Sequence, residues 1–184
     1  MQFKNYLTYS GSFGKHSFTA MLGQECWKSK WDNVRTEAKD LPTNTVHNPS
    51  LGDPSTFKIS NGFGTSAMAS FFTRETYNFD DRYLLTYTFR RDGSSNFGPD
   101  NRWGSFHSIA GAWRFSNEEF VRNFAGKWLS NGKLRLGWGQ TGNSNIGSGK
   151  WSSDMTSIGT GLGTAYRPLR IANLNVHWEK QEQT

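Results

Sequence analysis

The sequence predicts an all-β chain, an antiparallel up-and-down meander forming part of a transmembrane β-barrel. Three observations point there. Apolar and polar residues alternate with a period of two in several segments, which puts the two sets on opposite faces of a sheet. These segments run about 8–13 residues, near the roughly 9–11 of a tilted membrane strand and longer than the 5–6 usual in soluble sheets. The connections between them tend to alternate between short and long, as they do in barrels with tight turns at one rim and loops at the other.

The predicted strands follow in order. In Phe3–Ser10, Phe3, Leu7 and Tyr9 oppose Gln2, Lys4 and Thr8. In Ser17–Lys28, Phe18, Ala20 and Leu22 oppose Thr19, Gly23 and Glu25. Ala67–Tyr77 is the third. Tyr83–Arg91 alternates most clearly, with Tyr83, Leu85, Tyr87 and Phe89 on one face and Leu84, Thr86, Thr88 and Arg90 on the other. Trp103–Phe115 is ambiguous, because Phe106 shares a face with Ser108 and Arg114. In Lys133–Thr141, Leu134, Leu136 and Trp138 oppose Lys133, Arg135, Gly137, Gly139 and Thr141. Two cations turned into a dry core would be costly, whereas a watery lumen accepts them. Trp27, Trp103 and Trp113 lie near predicted strand ends, and Tyr77 and Tyr83 flank a turn, as an interfacial aromatic belt would place them.

The connections are Gly11–Lys15, Ser29–Ser66, Asn78–Arg82, Asp92–Arg102, Ser116–Gly132 and a long stretch from Asn143. Ser116–Gly132 breaks the alternation of lengths. Ser116 and Glu119 have capping-box spacing, and Gly126 stands where a C-terminal cap glycine would. They predict a short helix over Asn117–Ala125.

Composition taken alone favours a soluble β-sandwich over a barrel wall. Only 34% of residues are hydrophobic, while 8 Trp, 14 Phe, 6 Tyr and 20 Gly are present. A barrel wall fits this, yet a soluble β-sandwich also alternates. The net charge of +6 could suit nucleic acid, but the cations are scattered and no nucleic-acid motif occurs. The single Cys26 excludes an internal disulfide. No apolar run approaches the roughly 20 residues of a spanning helix. The N-terminus has no secretory segment. Both ends read as cuts through a longer protein, with neither a plug domain nor a signal peptide expected in this chain.

Catalytic signals are poor. Asp80–Asp81 and Glu118–Glu119 are adjacent pairs whose side chains point apart, so they do not flank one bond as glycosidase carboxylates do. Asp80 and Asp81 read as turn formers. His16, His47, His107 and His177 have no metal-ligand spacing. Gly147-Ser-Gly149-Lys150 departs from a phosphate loop at Ser144 and Trp151, and Gly159-Thr-Gly161-Leu-Gly163 lacks dinucleotide-loop spacing. No enzyme activity, cofactor or metal is expected. Trp27, Trp31 and Trp151, in or beside long connections, are weak ligand-stacking candidates. The alternative is that they pack the loops together.

Phe79–Phe120, FDDRYLLTYTFRRDGSSNFGPDNRWGSFHSIAGAWRFSNEEF, resembles the barrel of SusC/RagA-type TonB-dependent outer-membrane transporters. The matching residues are Tyr77, Arg82–Leu85, Arg90–Ser95, Phe97, Gly98, Trp103, Gly104, Trp113, Ser116, Glu118 or Glu119, and Phe120. KLRLGWGQTGNSNIG at Lys133–Gly147 and WEKQEQT at Trp178–Thr184 resemble two later family motifs. The resemblance implies that residues 1–184 are about six strands, and the start of a seventh, of a barrel of about 22 strands. It implies import of oligosaccharides or peptides across a Gram-negative outer membrane. The implied partners are a SusD-like surface lipoprotein, the TonB complex and outer-membrane lipid, with no nucleic acid. Asp92-Gly93 is expected to turn a hairpin, and Trp113 and Phe120 to pack near the periplasmic rim. A passive porin or adhesin barrel and a soluble carbohydrate-binding β-sandwich are the alternatives. Six strands leave two unpaired edges, so the isolated chain is expected to aggregate.

Overall fold

The computed structural model describes residues 1–43, 45, 48–125 and 128–184. The predicted cap Gly126 and His47 lie outside the described residues. The strands are β1 (Gln2–Phe13), β2 (His16–Glu37), β3 (Lys58–Phe79), β4 (Tyr83–Ser94), β5 (Trp103–Trp113), β6 (Leu134–Asn143), β7 (Asp154–Thr160), β8 (Gly163–Arg170) and β9 (Glu179–Gln183). One antiparallel sheet has the order β1-β2-β3-β4-β5-β6-β9, and β7 and β8 form a separate hairpin. A short helix, α1, spans Glu119–Ala125.

All six predicted strands form, and the tight turns join them at one end. Asp80 and Asp81 take left-handed backbone conformations, φ 53° and 52°, which the short Asp side chain tolerates. Three readings need correction. First, β2 and β3 run on to Glu37 and back to Lys58, so the connection spans 38–57 rather than Ser29–Ser66. Both faces of that extension meet water, and without a dry side the period-two signal fades. Second, Asp92-Gly93 is not a turn: both residues lie in β4, opposite Gly104 and Trp103. Third, the stretch after Asn143, read as a loop, contains the β7–β8 hairpin.

The register carries the alternation through the sheet. Tyr83 faces Phe79 and Trp113, Leu85 faces Tyr77 and Gly111, and Trp113 and Gly111 face Leu134 and Leu136. Among the described residues no second layer covers this face: Tyr83 is 48% exposed, Leu85 46%, Leu134 53% and Leu136 73%. A sandwich would have enclosed them. On β2 the outer face turns charged at Lys28, Lys30 and Asp32, in register with residues 63–67 of β3. The apolar band below that edge is bounded on β5 by Trp103 and Trp113, 11 residues that fit the roughly 9–11 of a spanning strand. Glu75 interrupts the band; it accepts from the Thr73 hydroxyl, and its Oε2 is buried without a partner. Trp27 is not in the belt. It lies inside β2 opposite Met68, on the polar face.

The ambiguity of β5 has a structural cause. Phe106 belongs to the polar face but is 5% exposed, covered by two connections that fold over it. Phe97 and Trp178 complete this small core, with Met68, Ile146 and Val176 against it.

Candidate functional site

The polar face is the candidate functional surface, and its chemistry follows from the register. Period two puts Arg90 and Asp92 side by side on that face of β4. Arg90 Nε donates to both Asp92 carboxylate oxygens at 2.7 and 2.8 Å, and its Nη2 donates to Ser70 Oγ at 2.9 Å. Asp92 is 6% exposed and Ser70 is 2% exposed. This ion pair is therefore sheltered, with its hydrogen-bonding capacity largely used within the wall.

The aromatic core sits beside it. Phe97 and Trp178 have ring centroids 5.1 Å apart, and Trp178 meets Phe106 edge-on at 5.4 Å. Trp178 Nε1 donates to the Arg102 carbonyl at 3.0 Å. Two glycines make this approach possible. A Cβ on Gly142 would overlap the Phe106 ring, and one on Gly104 would press on both Phe106 and Trp178. Asn96 fastens the second connection, donating to the Ser144 carbonyl at 3.0 Å.

Below this cap the face opens into a shallow cavity of about 300 Å³, where Thr88, Ser108 and Thr141 meet Arg90, Asp92 and Phe106. Hydroxyls beside an aromatic ring suit a neutral, hydrogen-bonding solute. Toward the tight-turn end, a second hollow of about 210 Å³ brings Arg74, Lys133 and Arg135 around Thr86 and Leu84. The wall thus changes along its length from hydroxyl-lined to cationic.

Glu118 organises the tight-turn rim. It is 8% exposed. Its Oε1 accepts from Tyr83 Oη at 2.9 Å and Trp113 Nε1 at 3.0 Å, and its Oε2 accepts from Arg82 Nη1 at 3.0 Å. The donated Trp113 and Tyr83 hydrogen bonds, with the Arg82 charge, hold its carboxyl below the ordinary glutamate range. This node replaces the expected capping box. Ser116 Oγ is buried without a partner, and α1 begins at Glu119 after a tight turn over Phe115–Asn117. Trp113 packs at the rim as expected, edge-on to Phe115 at 5.9 Å. Phe120 does not pack; it is 65% exposed.

The three tryptophans of the ligand reading stand in separate surroundings. Trp27 and Trp31 share the polar face of β2, opposite Met68 and Gly64. Trp31 lies over Gly62 and Gly64 and is 53% exposed. Trp151 lies beside Gly98 in the connection after β6, and its carbonyl accepts from the Asn173 amide at 3.1 Å. His16 bonds Tyr77 Oη at 2.6 Å and His107 bonds Tyr87 Oη at 2.9 Å. Among the described residues no cluster of His, Cys, Asp or Glu is placed to hold a metal. The Arg90–Asp92 pair and the Glu118 node were not singled out from the sequence. The Arg-x-Asp spacing on an alternating strand was the available signal for the first.

No family model matches the chain. It is 36% identical over 148 residues to the TonB-dependent receptor SusC of Bacteroides thetaiotaomicron, covering 80% of this chain and 14% of that protein. It is 32% identical over 185 residues to the TonB-dependent receptor P3 of Formosa agariphila, covering 98% of this chain and 18% of that protein. The chain therefore spans less than a fifth of the curated relatives it matches. Among solved structures, the RagAB peptide importer in its closed-closed state superposes with a TM-score of 0.84 at 29% identity, over 98% of this chain and 20% of that one.

Proposed function

We propose that this chain, which belongs to the SusC/RagA-type TonB-dependent receptors as a stretch of their barrel wall, lines the passage of an outer-membrane importer. The observation that carries the reading is the two-faced sheet. Its apolar side is open, where acyl chains would meet it, and its other side is lined with hydroxyls and cations. The parent barrel would have about 22 strands, and its energy would come through TonB from parts beyond these residues. The cargo class is an oligosaccharide or a peptide. RagAB is a peptide importer, and the hydroxyl shelf beside Phe106 suits either class. Trp27, Trp31 and Trp151 remain candidates for stacking on cargo, and the connections at 38–57 and 144–178 would face a SusD-like surface lipoprotein. The wall's own part is passive: it binds and guides, and neither Asp80–Asp81 nor Glu118–Glu119 forms an acid–base pair.

The test is uptake of labelled oligosaccharide and peptide pools by cells carrying the full-length receptor, with and without TonB. Uptake that requires both supports the proposal. Uptake that persists without TonB identifies a passive porin, and surface binding with no uptake identifies an adhesin.

A further inference from the structure

The outer face is concave at its loop end. A groove of about 450 Å³ runs across β1–β5 at the loop end of the apolar band, within the roughly 300–1,000 Å³ of ligand sites. Its floor is made of small residues, Cys26 and Ala69, which the register sets side by side on β2 and β3, while on β4 the Trp103 ring lies over Gly93. Phe3 and Trp103 wall it at the two ends. A flat, fully packed wall would have needed large side chains at these two places.

Cations gather at its upper edge. Lys28 and Arg102 line the groove. The Arg91 guanidinium stands 5.7 Å from the Trp103 ring centroid. Among the described residues none of the three is in an ion pair, and Arg102 Nε is buried without a hydrogen-bond partner. The nearby carboxylate, Asp92, faces the other way and is held by Arg90. A barrel wall has no need of three uncompensated cations above an apolar slot. Their chemistry matches an anionic headgroup, and the slot beneath matches the chain attached to it.

We propose that this groove is a binding site for an outer-leaflet lipid bearing phosphate, with one acyl chain lying over Cys26 and Ala69 between Phe3 and Trp103 and the phosphate among Lys28, Arg91 and Arg102. The site rests on the barrel reading above, because only a membrane-facing wall presents this surface to lipid. Trp103 serves two purposes there, closing the groove and holding Arg91 at headgroup height.

The test uses the full-length receptor, extracted in mild detergent and washed until bulk lipid is gone. Native mass spectrometry then reads the bound mass, and phosphate analysis its headgroup. The wild type should retain a phosphate-bearing lipid. Cys26→Trp, which fills the slot, should abolish retention. Arg91→Gln should weaken it about fivefold, the effect of one interfacial charge. Leu136→Trp, on the same face but at the tight-turn end, should retain lipid as the wild type does. Heat-dependent gel mobility certifies each variant as a folded barrel. Should Cys26→Trp fail to fold, Arg91→Gln carries the test. A folded wild type with no bound lipid, a bound lipid lacking phosphate, or equal retention in Arg91→Gln overturns the site and leaves the barrel reading intact. A wild type without heat-dependent mobility overturns the barrel reading itself.

Discussion

Replacing Arg90 with Met tests the polar face most directly, because its partner has nowhere else to go. Asp92 is 6% exposed and takes both of its short contacts from Arg90 Nε. Met keeps much of the side-chain length but removes the charge and every donor. The carboxylate is then left uncompensated in a sheltered place, at about 3–5 kcal/mol. The reverse change should be milder. The Arg90 side chain is 39% exposed, so in Asp92→Asn its guanidinium can turn to lumen water while Ser70 Oγ still accepts from it. A cost of about 1–2 kcal/mol is expected, close to one charged hydrogen bond. The double variant should cost less than the sum, because the stranded charge no longer exists. Urea unfolding of the full-length receptor in detergent gives the three values from midpoint and slope. The reasoning fails if Arg90→Met costs under about 1 kcal/mol, or if Asp92→Asn costs as much as Arg90→Met.

Three further outcomes follow from the same geometry. Ile109→Arg on the apolar face, midway between Trp103 and Trp113 on β5, should destabilise the folded receptor by about 2–4 kcal/mol in lipid, whereas Ser108→Arg, its neighbour turned to the lumen, should be tolerated; equal costs would remove the two-face assignment. Gly142→Val should drive the Phe106 ring off Trp178 and loosen the connection after β6, read as faster protease cleavage within 144–178 while the barrel core stays intact. The stability contributed by Glu118 should depend on pH in one direction only. Its carboxyl is lowered in the fold, so the unfolded chain binds the extra proton, and the contribution is whole above the ordinary glutamate range and lost as pH falls through the lowered value. Glu118→Gln should flatten that acid limb of the stability profile, and an unchanged limb would assign it to other carboxylates.

Legibility in the sequence tracked the environment of each residue. Where one face meets hydrocarbon and the other water, alternation marks the strand, and the parts of β1 to β4 and β6 within the apolar band are legible from it. It fails in four physically distinct ways. Ser29–Glu37 and Lys58–Ser66 pair beyond the apolar band, where both faces are wet and no pattern distinguishes strand from loop. Phe106 breaks the alternation of β5 because residues about 70 positions away fold over it as a lid. The turn assigned to Asp92-Gly93 relied on a dipeptide that favours hairpins locally, but pairing with Gly104 and Trp103 overrode it. At the rim, Ser116 and Glu119 had the spacing of a cap. Glu118 was drawn instead to Arg82, Tyr83 and Trp113, contacts that no local rule contains.

The motif residues divide by position along the strands, and that division bears on where specificity can reside. Arg90, Asp92, Phe97, Trp103 and Gly104 cluster at the loop end, while Arg82, Tyr83, Trp113 and Glu118 cluster at the turn end. Each cluster ties several chain segments together through contacts that tolerate little change: a sheltered ion pair, rings pressed on glycine, a carboxylate with three donors. Between the two ends the wall requires only alternation, which many side chains satisfy. The polar-face positions there, such as Thr86, Thr88, Ser108 and Arg135, hold no other element in place. They can therefore differ between receptors at little cost to the barrel. The same holds for the extended β2–β3 hairpin, whose outer half lies above the apolar band. Cargo selection should therefore be sought at these unconstrained positions, while the motif residues that make the chain recognisable serve to hold the wall in shape.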